Sequence, residues 1–235
     1  MLMDTWIQWL RGPVFWAALT FMVLGLARHL GLTLYGIARA ARRAGDKRFP
    51  WRRIWVATLR WLFPAGQLRN RLVFSATSLV FHVGVILVPV FLAGHIALWE
   101  RALGVAWLAL PNGAATALTL AVLITAPALV VQRLAAHDTR ALSRVQDYLL
   151  PLLVALPFAS GFLVMHPEWN PFTRDAVLLL HVLSADVLLF LVPVTKLTHI
   201  VLLPTTQVVS ELAWHFPPDA GHRVGVALGK ADEPV

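Results

Sequence analysis

LLLHVLSADVLLFLVPVTKLTHIVLLP, residues 178–204, is a run of 27 residues with one acid, Asp186, one base, Lys196, and two histidines, the rest being almost wholly apolar or hydroxylated. A helix needs about 20 such residues to cross hydrocarbon. The run is therefore read as a membrane span, placed at roughly 175–203. Four further segments, at roughly 13–36, 72–99, 113–134 and 146–166, meet the same length requirement. The expected fold is an all-α integral membrane protein, a bundle of five transmembrane helices.

Composition agrees with this reading. The chain of 235 residues is 58% hydrophobic and 14% charged, with a mean hydropathy of +0.70, whereas a soluble domain carries about a quarter charged residues. There is no cysteine, which excludes a disulfide framework, thiolate-held iron–sulfur clusters, a thiolate zinc site and covalent c-type haem attachment. The net charge of +8 does not point to nucleic acid, because half of the basic residues lie in one loop. Between residues 39 and 71 stand ten Lys or Arg against the single acid Asp46. Such a loop stays in the cytoplasm, so the N-terminus is expected outside and the C-terminus inside. MLMDTWIQWLRGP, residues 1–13, lacks the basic start and small-residue cleavage site of a signal peptide and is expected to be retained.

Residues 1–204 form the expected membrane domain, with the basic cytoplasmic loop at 37–71, and residues 205–235 a cytoplasmic tail containing Pro217, Pro218 and Gly221. Within the loop, WRRIWVATLRWLFP at 51–64 interleaves tryptophans and arginines, as a helix lying in the headgroup layer does; a plain connecting loop is the alternative. Prolines 89, 127, 151, 157 and 193 fall inside spans. Membrane helices tolerate proline when neighbours satisfy the freed carbonyls, and kinks are expected there.

Of nine histidines, four lie in two spans: His82 and His95 in the second, His181 and His199 in the fifth. Ionisable groups inside a bilayer are costly and usually functional, although any one intramembrane histidine can also be an ordinary hydrogen-bonded core residue. Their order along the helices matters most. The second span runs outward, so His82 is near the cytoplasm and His95 about 20 Å further out. The fifth runs inward, so His181 is near the outer face and His199 about 27 Å deeper. Antiparallel spans thus bring His95 level with His181 and His82 level with His199.

Two facing imidazoles can supply both axial ligands of a low-spin haem iron, which suits electron transfer. In the fifth span the interval of 18 residues is about five turns, so a regular helix puts both histidines on one face. In the second span 13 residues leave the pair roughly 220° apart around a regular axis. Pro89 stands between them and would break the regularity. Small residues flank the histidines: Gly84, Gly94, Ser184 and Ala185. A flat macrocycle approaching backbone needs such positions, and so does ordinary helix packing.

FHVGVILVPVFLAGHIALW at 81–99 and the stretch 178–204 resemble the paired haem-ligand helices of the gamma subunit of respiratory nitrate reductase. The longer interval in the second span, with its proline, is closer to the cytochrome b subunits of the Tmc and Hme transmembrane redox complexes of sulfate-reducing bacteria. The likeness extends to GPVFWAALTFMVLGLAR at 12–28 and DYLLPLLVALPFASGFLVMH at 147–166. It implies a subunit of a respiratory chain in the bacterial cytoplasmic membrane that binds two haem b. His82 and His199 would hold the cytoplasmic-side haem, and His95 and His181 the outer one. It further implies electron exchange with a quinone or quinol, and with an iron–sulfur subunit on the cytoplasmic side, a periplasmic multihaem cytochrome, or both. Alone, the chain would be part of an oxidoreductase complex rather than a complete enzyme, with no catalytic residue of its own.

Lys196, one turn before His199, and Arg28 are candidates for haem propionates, with snorkelling to headgroups as the alternative. His166 and Trp169, beside Glu168 in an outer loop, are candidates for a quinone site, since quinol oxidation needs a proton acceptor open to water. Asp186 is a proton-linked group or a neutral hydrogen-bonded one. His29, His137, His215 and His222 are read as structural or solvated. Two rivals remain: a cofactor-free transporter or channel subunit in which the histidines and Asp186 relay protons, and a passive anchor for peripheral redox subunits. Membrane lipid is a partner in every case.

Overall fold

The computed structural model describes residues 2–43, 49, 51–62, 72–213 and 220–232. Asp46, Lys47, Arg48, Arg69 and Arg71 of the basic loop, and His215, Pro217 and Pro218 of the tail, lie outside the described residues. Helices account for nearly all of the described chain, and no strand occurs among the described residues. Five helices are long and apolar enough to span a membrane: Met3–Arg42, Leu72–Phe91, Asn112–Ala135, Val145–Met165 and Arg174–Val194.

Two compact units emerge, residues 1–21 with 67–191 and residues 22–66 with 192–235. The first unit holds α1 (Leu2–Trp9), a π-helical segment (Leu10–Val14), α4 (Leu72–Phe91), α5 (Ala93–Leu103), α6 (Asn112–Ala135), α7 (His137–Leu142), α8 (Val145–Met165) and α9 (Arg174–Leu191). Its packing runs α4 on α6, α6 on α8, α8 on α9, and α1 with the π segment on α9.

Each of these helices buries a narrow stripe. Phe81, Gly84 and Val88 do so on α4, Ala115, Thr119, Val122 and Ala126 on α6, at the spacing of one helical face. The opposite faces expose large apolar residues such as Ile86, Ile124 and Val131. That inversion suits lipid as solvent, where helices associate through small residues and close packing. Gly84 is such a contact. A Cβ there would run into the Val122 side chain and approach the Leu118 carbonyl to 3.0 Å, so Gly84 lets α4 pack closely on α6. Hydroxyls in the spans donate to carbonyls one turn back, Thr119 to Ala115 at 2.8 Å and Ser160 to Leu156 at 2.9 Å, which leaves no bare donor facing hydrocarbon at these positions.

The second unit holds α2 (Phe15–Arg43) from Met22 onward, α3 (Trp51–Leu62), the 3₁₀ turns Val192–Val194 and Lys196–Thr198, α10 (His199–Leu212) and α11 (Ala220–Ala227). α3 packs on α10; Ile54 and Thr58 of the one and Leu212 of the other are buried. Arg52, Arg53, Trp55 and Arg60 of α3 are exposed. α10 continues through Thr205.

Three expected spans differ. The first does not start at 13: helix extends back to Leu2 through a π-helical turn, with Gly12 alone departing from helical dihedrals. The second, expected unbroken over 72–99, ends at Phe91 and restarts at Ala93, with Leu92 extended (φ −73, ψ 129). The fifth, expected unbroken over 175–203, ends at Leu191 and resumes as α10 only at His199. Prolines 127, 151 and 157 stay within α-helix, whereas Pro89 and Pro193 adjoin the two breaks. At both breaks a histidine meets the proline's own carbonyl. His29 Nε2 donates to Pro193 O at 2.8 Å, and Gly25 lets α2 lie directly against the Pro193 ring.

Candidate functional site

The break at Leu92 governs where His95 points. In an unbroken helix the amide of His95 would bond the carbonyl of Phe91. Here it bonds Leu92 O at 2.9 Å, so His95 belongs to α5 and no longer keeps the phase of His82 on α4. The roughly 220° mismatch of a regular helix is therefore not a property of this chain. His95 and His181 of α9 come together inside the first unit, with ring centroids 6.0 Å apart and planes inclined by 8°.

Each ring is held from behind. His95 Nδ1 donates to Pro89 O at 3.0 Å, and His181 Nδ1 donates to Pro157 O at 2.8 Å. A neutral imidazole that donates through Nδ1 carries its lone pair on Nε2, the usual arrangement behind a metal-ligating histidine. Gly161 of α8 makes room for the second ring, since a Cβ there would lie 3.0 Å from His181 Cε1. At Gly94 the corresponding space is open. Arg11, in the π-helical segment, is within electrostatic reach of His181.

The separation of the two ring centroids is that of two imidazoles sharing one metal ion. A metal–imidazole bond is about 2 Å long, and each nitrogen lies about 1 Å from its ring centre, given ring bonds of about 1.3 Å. Two imidazoles on one iron thus have centroids about 6 Å apart. Among the described residues no group of three or more His, Asp or Glu converges as a metal site; a bis-histidine haem asks only for two.

His82 and His199 lie in different units, the first on α4 and the second opening α10. Each repeats the tethering, with Nδ1 donating to Ser78 O at 2.7 Å and to Lys196 O at 2.9 Å. α9 and α10 are separate helices, so the unbroken helix from which a shared face for His181 and His199 was expected is not present. A cavity of about 380 Å³ in the second unit has Lys196, His199, Leu202, Leu203, Thr206 and Gln207 among its lining. Arg28 is exposed on α2.

At the C-terminal end of α8, His166 Nε2 and Thr116 Oγ1 are 3.2 Å apart, and His166 Nδ1 lies 3.2 Å from Glu168 Oε1. Trp169 is 70% exposed. His166 is thus a half-buried, bonded group and Trp169 an open one. Asp186 on α9 is 2% exposed, and neither carboxylate oxygen has a hydrogen-bond partner among the described residues.

Two neighbours of the pair have no local signal in the sequence: Gly161 and the Pro157 carbonyl. Only the spatial neighbour reveals each role.

Over 200 residues the chain is 32% identical to a protein of Nitratidesulfovibrio vulgaris Hildenborough described simply as "Protein", covering 82% of this chain and 86% of the relative. No protein-family model matches the chain. No solved structure matches it.

Proposed function

The chain belongs to one family with that Nitratidesulfovibrio vulgaris protein, and we propose that it is a membrane-embedded di-haem cytochrome b subunit of a respiratory redox complex. It carries electrons between a quinone or quinol and partner subunits, an iron–sulfur protein on the cytoplasmic side or a periplasmic multihaem cytochrome. The observation that carries this reading is the His95–His181 pair, parallel to within 8° at 6.0 Å, with each Nδ1 tied to a carbonyl.

In this reading His95 and His181 hold the outer haem, and His82 and His199 the cytoplasmic-side one. A haem b held there would supply one-electron redox chemistry. The histidines would orient the iron through their tethered rings. Lys196 and Arg28 offer cations to propionates. His166, linked to the exposed Glu168 carboxylate, accepts a quinol proton and passes it to water, with Trp169 covering the quinone. The bacterial cytoplasmic membrane, with the N-terminus outside and the basic loop inside, completes the placement.

The second reading, a cofactor-free proton-relay subunit of a transporter or channel, draws on Asp186, a buried carboxylate without a hydrogen-bond partner among the described residues. One experiment separates the two. Protein purified in mild detergent is reduced with a menaquinol analogue. A b-type reduced-minus-oxidised spectrum supports the cytochrome, and its absence, with dithionite also giving none, supports the relay.

A further inference from the structure

The break between α4 and α5 leaves three successive carbonyls, those of Pro89, Val90 and Phe91, at a helix end where intrahelical partners run out. Each is met by a donor from further along the chain. Pro89 O accepts from His95 Nδ1 at 3.0 Å, Val90 O from the Trp107 indole Nε1 at 2.9 Å, and Phe91 O from the Leu110 amide at 2.8 Å. Two of the three donors come from one segment, residues 104–111. That segment leaves α5 at Gly104, whose left-handed backbone (φ 69, ψ 17) and N–H to Glu100 O turn the chain back. It then runs past the end of α4 before α6 begins at Asn112.

We infer that Trp107 is a positioning residue for the His95 imidazole: the 104–111 segment straps the α4 terminus so that the Pro89 carbonyl is held where it fixes the ring. The Trp107 indole fixes the carbonyl next to the one His95 uses, and Leu110 fixes the one after. With these anchored, the ring of His95 has little freedom to rotate away from its 8° inclination to His181. Trp107 touches neither histidine in any hydrogen bond of its own. Its effect passes through the backbone, and the same bonds explain why a helix can be broken here without leaving bare carbonyls in an apolar setting.

The inference rests on the di-haem reading, and its test starts from wild-type protein containing haem. Trp107→Phe removes the indole N–H and keeps an aromatic ring. Electron paramagnetic resonance of the oxidised protein and a redox titration of both haems are the readouts. The expected result is retention of both haems, with the low-spin signal of one shifted and broadened, its midpoint potential displaced, and the other haem unmoved. Unchanged signals and potentials for both haems would overturn the inference, and so would equal displacement of both, which marks a general loosening. If Trp107→Phe is not recovered from membranes, Gly104→Ala carries the same test, because a side chain is strained at that left-handed position and displaces the strap at its root. Haem absent from the wild type would instead count against the cytochrome reading itself.

Discussion

At the scale of single residues, the geometry of His95 and His181 makes a spectroscopic prediction. Nearly parallel axial imidazoles give ferric low-spin haem a rhombic paramagnetic signal, and nearly perpendicular ones a highly anisotropic signal. The 8° inclination predicts a rhombic signal for the outer haem, and that signal should vanish in His95→Ala or His181→Ala while one haem remains. Gly161 is a finer probe. With 3.0 Å between a new Cβ and His181 Cε1, Gly161→Ala should push the ring by a fraction of an ångström and alter the spectrum of the same haem. Its stability cost should stay within the roughly 1–3 kcal/mol of an overpacked contact, measured by thermal unfolding in detergent. That His95 comes beside His181 was legible in the chain, because depth follows residue number in a span. Gly161 was not, since a glycine facing an imidazole looks like any other small residue in a membrane helix.

Elements show where local reasoning stops. Five prolines stand inside apolar runs, and nothing in their immediate neighbours separates Pro127, Pro151 and Pro157, which α-helix accommodates, from Pro89 and Pro193, which adjoin breaks. The difference lies in donors from far along the chain: Trp107 and Leu110 for the first break, His29 for the second. His29→Ala should leave the Pro193 carbonyl without its donor and cost about 1–3 kcal/mol, visible as a lower unfolding temperature, whereas His29→Gln, which keeps a donor, should recover part of it. The α4–α6 contact offers a harsher test. Gly84→Leu forces a branched side chain into Val122 and the Leu118 carbonyl, and the protein should be lost from the membrane fraction or elute as aggregate in size-exclusion chromatography.

For the molecule as a whole, composition and span length were enough to indicate an all-helical membrane protein, since an apolar run can be long enough to cross hydrocarbon whatever its neighbours do. The apolar faces turned outward in the first unit are what such a chain presents to lipid. The proposed orientation rests on the positive charge of the 37–71 loop: reporter fusions should show that loop and the C-terminus in the cytoplasm and the N-terminus outside. If the tethered histidine pairs hold haem, a pyridine haemochrome assay on the purified chain, normalised to protein by amino-acid analysis, counts it. Two haem b per chain is the predicted result; a chain that is folded and helical yet carries no haem b would contradict it.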